Sequence, residues 1–212
     1  MQWSTHRFVS GACAAGVTGA AGMPPSGTIV VLVVAWWTAP TPDRMEPKLG
    51  LDHRGPTHYL STSLLVALLP AVLLTAIGLG LGALAADQGV AAGMHVDEGP
   101  YRDLRGLGEF VAAGALLLGL LVALGRLCGV VGHTLIDGFN DVGIPIWGPW
   151  DKDPDTKKPR RRRLAPKWMC IRSNGAADTA LGMVALAVML LLLYMQWKAA
   201  GGPVPTHTGP FS

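Results

Sequence analysis

Residues Leu60–Ala86 read LSTSLLVALLPAVLLTAIGLGLGALAA, 27 residues without one charged side chain. A helix needs about 20 mostly apolar residues to cross a bilayer, because nothing in lipid can replace its backbone hydrogen bonds. This stretch meets that length and predicts a membrane span. Two more segments do the same. Phe110–Ile136 is broken only by Arg126 and His133, and Ala177–Trp197 carries a single acid, Asp178, at its mouth. Tyr194 and Trp197 close the last segment, where amphipathic rings favour the membrane interface.

Composition agrees with this reading. Half of the 212 residues are hydrophobic and only 15% are charged, against about a quarter in an ordinary soluble domain. A disordered chain, which needs low hydrophobicity and high charge, is excluded. Cys13, Cys128 and Cys170 form no CxxC pair, which excludes a disulfide framework and a cysteine-based zinc site. Cys13 and Cys128 lie in apolar runs and are expected as small buried hydrophobes.

Phe8–Trp37 is also apolar, but Pro24-Pro25-Ser26-Gly27 interrupts it. Proline removes a backbone donor and clashes with the preceding turn. The stretch reads either as one kinked span or as a re-entrant helical hairpin. Each arm of the hairpin would have about 14 residues and roughly 21 Å of helix. A cleaved signal peptide with Arg7 as its basic flank is a weaker third reading, since the apolar run resumes after the prolines. The expected fold is therefore all-α, a polytopic membrane bundle of three clear spans plus an N-terminal broken or re-entrant hairpin. Residues 1–200 form one membrane-embedded domain and 201–212 a disordered Gly/Pro-rich tail.

Orientation follows from charge. Between Asp151 and Arg172 lie nine bases, Lys152, Lys157, Lys158, Arg160, Arg161, Arg162, Arg163, Lys167 and Arg172, against three acids. Positive loops stay cytoplasmic, so the expected location is a bacterial inner membrane with residues 151–175 inside. The stretch Asp87–Glu109 then lies outside, and its five acids against Arg102 and Arg105 agree. Residues 152–172 are expected to touch anionic lipid. Nucleic acid is not expected as a partner, because no aromatic residues interleave the basic run.

Ionisable groups at membrane depth are costly and point to function. His133 and Asp137, in Gly132-His-Thr-Leu-Ile-Asp137, are four apart and share a helix face. Imidazole plus carboxylate on one face suits a divalent metal, zinc among them. The plain alternative is a His–Asp hydrogen bond that anchors a helix end. A second cluster reads Asp52-His53-Arg54-Gly55-Pro56-Thr57-His58, immediately before the first span, with Asp43 upstream. The charge-derived topology puts Asp43, His53, His58, His133 and Asp137 on one side of the membrane. His6 joins them only if Phe8–Trp37 is a hairpin. His95 and His207 are expected as surface residues. Arg126, about two turns below His133, is expected to pair with a carboxylate or face the site.

Taken together, His6, the Pro-Asp43 step, His53-Arg-Gly-Pro-Thr-His58, Gly132-His-Thr-Leu-Ile-Asp137 and Gly143-Ile-Pro-Ile-Trp-Gly-Pro149 resemble the YdjM-like inner-membrane proteins, described as metal-dependent hydrolases. The resemblance covers roughly residues 5–150. The family often has Pro-Asp-x-Asp where this chain has Pro-Asp43-Arg-Met45, so the second acid is missing and Glu46 is the nearest substitute. More distantly, the order His, Asp, His, HxxxD is similar to zinc-dependent phospholipase C and the single-strand nucleases. That likeness implies one metal site from Asp43, His58, His133 and Asp137, with His6 helping a second.

The resemblance implies a membrane-bound hydrolase that uses a divalent metal, zinc by its donors, to activate water against a lipid or lipid-linked phosphoester. Asp137 would be a bridging ligand or base. His53 and Arg54 would stand beside the metal, Arg54 offering a fork suited to phosphate. Two rival expectations stand beside it. One is a non-enzymatic membrane scaffold or regulator whose histidines brace span ends. The other is a transporter, which needs charged or broken helices near the midplane.

Overall fold

A computed structural model describes residues 2–51, 55–92, 104–148, 150–172 and 174–202, with backbone alone for 86–92, 104–105 and 168. His53, Arg54, His95, His207 and nearly all of the tail expected to be disordered lie outside the described residues. The chain is an all-α bundle. Helix α1 (Trp3–Ala20) is followed by α2 (Pro25–Thr38), the short α3 (Thr41–Lys48), the long α4 (Leu60–Ala92), α5 (Leu104–Arg126), α6 (Gly132–Asp137) and α7 (Ala176–Ala199). No strand forms among the described residues; three isolated bridges occur in the segment between α6 and α7.

Three helical stretches are long and apolar enough to cross a membrane: Leu60–Ala85, Gly106–Asp137 and Ala176–Ala199. Only 11%, 17% and 22% of their apolar windows is buried. Their large side chains, such as Leu65, Ile77, Leu117, Leu120 and Leu191, point outward. The interior is small or polar instead, with Ala14, Ala15, Ala35, Ser10, Thr18, Thr134 and three histidines fully buried. This is the inverse of a water-soluble globule and what lipid demands, since lipid gives no hydrophobic reason to hide leucine and small residues let helices approach. Cys128 is buried as expected, but Cys13 lies on the exposed side of α1.

The N-terminal stretch is a hairpin. Helix α1 ends at Ala20, Gly22 takes a positive φ of 63°, and Pro25 opens α2. A positive φ is cheap for glycine, and proline is tolerated where the first-turn N–H has no helical partner anyway. The start of α1 and the end of α2 therefore lie at the same end of the bundle. Helix α7 anchors that end: Asp178 accepts from the Gln2 backbone N–H at 2.8 Å, and its carbonyl accepts from the Thr5 hydroxyl at 3.1 Å. At the opposite end, Gln196 donates to the Ala15 carbonyl and accepts from Thr28.

Arg126 pairs with neither carboxylate nor site. Pro70 inside α4 has no N–H, so the Val66 carbonyl four residues earlier loses its helical donor. Arg126 Nη2 donates to that carbonyl at 2.6 Å, and its Nε to the neighbouring Ala67 carbonyl at 3.1 Å.

Between α5 and α6 the helix widens into one π turn, Leu127–Val131. A π turn carries one extra residue and so rotates everything beyond it by about 100°. The rotated part is the His133–Asp137 helix. The turn also presents Gly129 to α2, where a Cβ would lie 2.7 Å from the Ala35 carbonyl oxygen and collide with the Thr38 hydroxyl. Gly129→Val is expected to force α2 away and cost about 1–3 kcal/mol, the usual penalty of overpacking. Thermal unfolding in detergent followed by circular dichroism measures it, and an unchanged midpoint would show that α2 does not pack this tightly.

Candidate metal centre

The site end of the bundle receives one side chain from each of several elements. His6 sits in the first turns of α1, and Asp43 in the first turn of α3. Gly55-Pro56 starts a 3-10 turn, Pro56–His58, that delivers His58 just before α4. His133 and Asp137 come from α6, one turn apart. The hairpin decides the position of His6, and the π turn decides the aim of the last two.

Asp43, His58, His133 and Asp137 each offer one ligand atom, and all four atoms lie within 4.8 Å of one another. His58 Nε2 is 3.2 Å from Asp137 Oδ2, 3.3 Å from His133 Nε2 and 3.6 Å from Asp43 Oδ1. His133 Nε2 is 3.4 Å from Asp43 Oδ1 and 3.7 Å from Asp137 Oδ2. Zinc-to-ligand distances of about 2.0–2.1 Å in a tetrahedron put neighbouring donors roughly 3.4 Å apart. Five of the six edges thus have the length that a four-coordinate ion of this class needs. The donor chemistry fits as well: two carboxylates and two imidazole nitrogens converging in a buried space need a cation or shared protons between them. The buried cluster could hold a metal ion.

Support around the donors follows a pattern known from metal sites. The far nitrogen of His58, Nδ1, lies 2.9 Å from Glu46 Oε1, which also accepts from the Thr57 hydroxyl at 2.7 Å. A carboxylate on the remote imidazole nitrogen fixes the ring and leaves the other nitrogen to the metal. Glu46 therefore stands behind a donor and does not replace the acid that Met45 lacks. His6 lies outside the four-donor group. Its ring stacks on His133 with centroids 3.8 Å apart, and its Nε2 is 3.4 Å from the second oxygen of Asp137. Asp137 thus faces His58 and His133 with one oxygen and His6 with the other.

The centre is shut on most sides. The side chains of His58, His133 and Asp137 are 0–2% exposed, while Asp43 is 13% exposed. Asp43 lines a recess of about 340 Å³ with Trp3, Glu46, Pro47 and Leu51. The Arg44 guanidinium lies over the Trp3 ring, 5.3 Å from its centroid. The centre thus meets this partly apolar recess at Asp43.

Electrostatics bind the two outer donors together. Burial disfavours the charged form of Asp43, but the hydrogen bond and charge of His133 outweigh it and bring its pKa down to about 2. Burial likewise works against a charged His58, yet the carboxylates of Asp137 and Glu46 raise it to about 9. Asp43 is thus ionised at any ordinary pH, and His58 carries a proton that a metal must displace. Metal affinity is expected to rise about tenfold per pH unit between pH 6 and 8, and to flatten near 9. Competition with a chromophoric chelator across that range measures it. A flat profile would show that no proton leaves His58.

Spacing points to His133 with Asp137, the charge-derived topology adds Asp43 and His58, and the hairpin alternative adds His6; these five meet at one end of the bundle. Glu46 was raised only as a stand-in for the missing acid. Its position three residues after Asp43 on one helix face was the available signal. Asp178, which ties α1 to α7, was read only as an acid at the mouth of a span. The chain matches no known protein-family model, no curated protein and no solved structure.

Proposed function

We propose that the chain is an integral-membrane metal-dependent hydrolase acting on a phosphoester at the membrane surface. The observation that carries this reading is the four-donor cluster with near-tetrahedral edges, of whose donors Asp43 is the most exposed. Two imidazoles and two carboxylates favour zinc among the available divalent ions. A metal held there supplies Lewis acidity and makes water nucleophilic at neutral pH. The chain's own residues do the rest. Glu46 orients His58, and Asp137 joins the donor set to His6. His6, 3.4 Å from Asp137 Oδ1, is placed to hold or pass a proton.

The substrate class follows from the approach route. Trp3, Pro47 and Leu51 offer apolar contact at the mouth, and the basic segment between α6 and α7 lies at the same end of the bundle. A lipid or lipid-linked phosphoester answers both features. The same charge pattern supports an inner membrane with the centre on the cytoplasmic side, and the YdjM-like motifs agree with a hydrolase.

The test is purification in detergent, measurement of bound metal, and turnover of a chromogenic phosphodiester by the wild type and by His133→Ala. The reading expects bound metal and metal-dependent turnover in the wild type and neither in the variant. Equal metal content in the two proteins would sink it. Metal without turnover of any phosphoester tried would favour a structural metal site in a scaffold.

A further inference from the structure

Tryptophans mark the depth of the metal-centre end. Trp3 opens α1, and Trp36 and Trp37 stand at the end of α2. Trp147 and Trp150 lie in the segment whose Ile146 carbonyl accepts from the Leu60 N–H at the start of α4, at 3.1 Å. Trp3, Trp37, Trp147 and Trp150 are all exposed. Indole rings collect where hydrocarbon meets the headgroups, so this end of the bundle stands at headgroup level.

One corner at that level carries two arginines. Trp3 and Arg7 are four apart and share a face of α1. From α3, the Arg44 guanidinium lies over the Trp3 ring, and the Arg7 guanidinium lies over the Trp36 ring of α2, 6.0 Å from its centroid. Phe8 meets the same Trp36 ring edge-on, with centroids 5.1 Å apart, which holds that ring against α1. An indole face attracts a guanidinium but gives its N–H groups no lone pair to donate to.

The carboxylates of this end are engaged elsewhere. Asp43 faces His133 and His58, Glu46 holds His58 and Thr57, and Asp178 accepts from the Gln2 and Asn174 backbone N–H groups. Neither Arg7 nor Arg44 forms an ion pair with a described carboxylate, and Arg7 Nε is buried without a hydrogen-bond partner. Arg126 and Arg162, by contrast, are spent on backbone carbonyls and on Asp151. A buried donor left without an acceptor is costly. At headgroup depth the acceptor at hand is a phosphodiester, whose two free oxygens match the guanidinium fork.

We propose that Arg7 and Arg44, framed by Trp3 and Trp36, bind the phosphate of a membrane glycerophospholipid. The occupant is a lipid because the cations stand among aromatic rings at the level where acyl chains begin, with apolar helix surface below them. Trp3 also lines the recess at Asp43, so the held headgroup stands at the rim of the metal centre. The site does not depend on the hydrolase reading: it holds lipid whether or not the centre turns that lipid over.

The test titrates full-length protein in a nonionic detergent with phosphatidylglycerol or with diacylglycerol of the same chains, and counts bound lipid by native mass spectrometry. One phosphatidylglycerol is expected to bind at least tenfold more tightly than diacylglycerol, which lacks the phosphate. The pair Arg7→Gln with Arg44→Gln should weaken phosphatidylglycerol about tenfold or more. The pair Lys152→Gln with Lys157→Gln removes the same charge from exposed positions between α6 and α7 and should change it less than twofold. Replacing both arginines by lysine should recover only part of the loss, since an ammonium keeps the charge without the fork. Circular-dichroism melts check that each variant folds. If the double variant does not fold, Arg44→Gln alone is compared with the same control, with a loss of about threefold expected. Equal losses in the two pairs, no preference over diacylglycerol, or displacement of the lipid by millimolar inorganic phosphate would overturn the proposal. Metal content is measured on the same samples. A wild type without metal that still binds lipid through these arginines keeps the site and loses the hydrolase, and the reverse result loses only the site.

Discussion

His58→Ala is expected to lower metal affinity by about 10²–10³-fold. Structural zinc held by four donors is worth about 10–16 kcal/mol, so one donor of a comparable set accounts for roughly 3 kcal/mol. His58 is the hinge of the cluster: its Nε2 lies within 3.2–3.6 Å of the other three donor atoms. Glu46→Gln keeps the donor and weakens only its orientation, and should cost about 10–100-fold. The order of the two losses is the informative part. Chelator competition at fixed pH measures both, and an alanine variant that binds as tightly as the glutamine variant would show that His58 is no ligand. His58→Ala should also destabilise the metal-free protein by about 3–5 kcal/mol, because it removes the partner of buried carboxylates.

The second large effect belongs to Arg126, far from the chemistry. Arg126→Met is expected to destabilise the bundle by about 2–4 kcal/mol, because the Val66 carbonyl loses its donor, and the Ala67 carbonyl its second one, in a medium without water. Pro70→Ala supplies an N–H to the Val66 carbonyl from within α4 and should cancel about half of that loss. The double variant is therefore expected to be more stable than Arg126→Met alone, with a coupling of about 1–2 kcal/mol. Unfolding in mixed detergent, followed by circular dichroism for the four proteins of the cycle, reads this directly. Strict additivity would show that arginine and proline are independent.

The spans were legible because length and apolarity suffice to define them. His133 and Asp137 were legible because helical periodicity stacks residues four apart. The hairpin was only half legible: prolines 24 and 25 announced a break, but whether the chain turned back depended on Gly22 and on packing of α1 against α7. Glu46 was hidden by the 3-10 turn, which sets its partner 12 residues away outside any regular period. Arg126 was misread because Pro70, the cause of its role, lies on another helix.

The clamp on α1 has a consequence for biogenesis. Synthesis runs from the N-terminus, so His6 leaves the ribosome before the other residues of the centre. The contact that seats its helix is made by Asp178, 176 positions after Gln2. Every intermediate of insertion before α7 therefore carries an N-terminal helix without its anchor. A helix made late thus fastens one made early, and a chain that stops short of α7 carries all four metal donors without the fastening of the helix that brings His6 beside them.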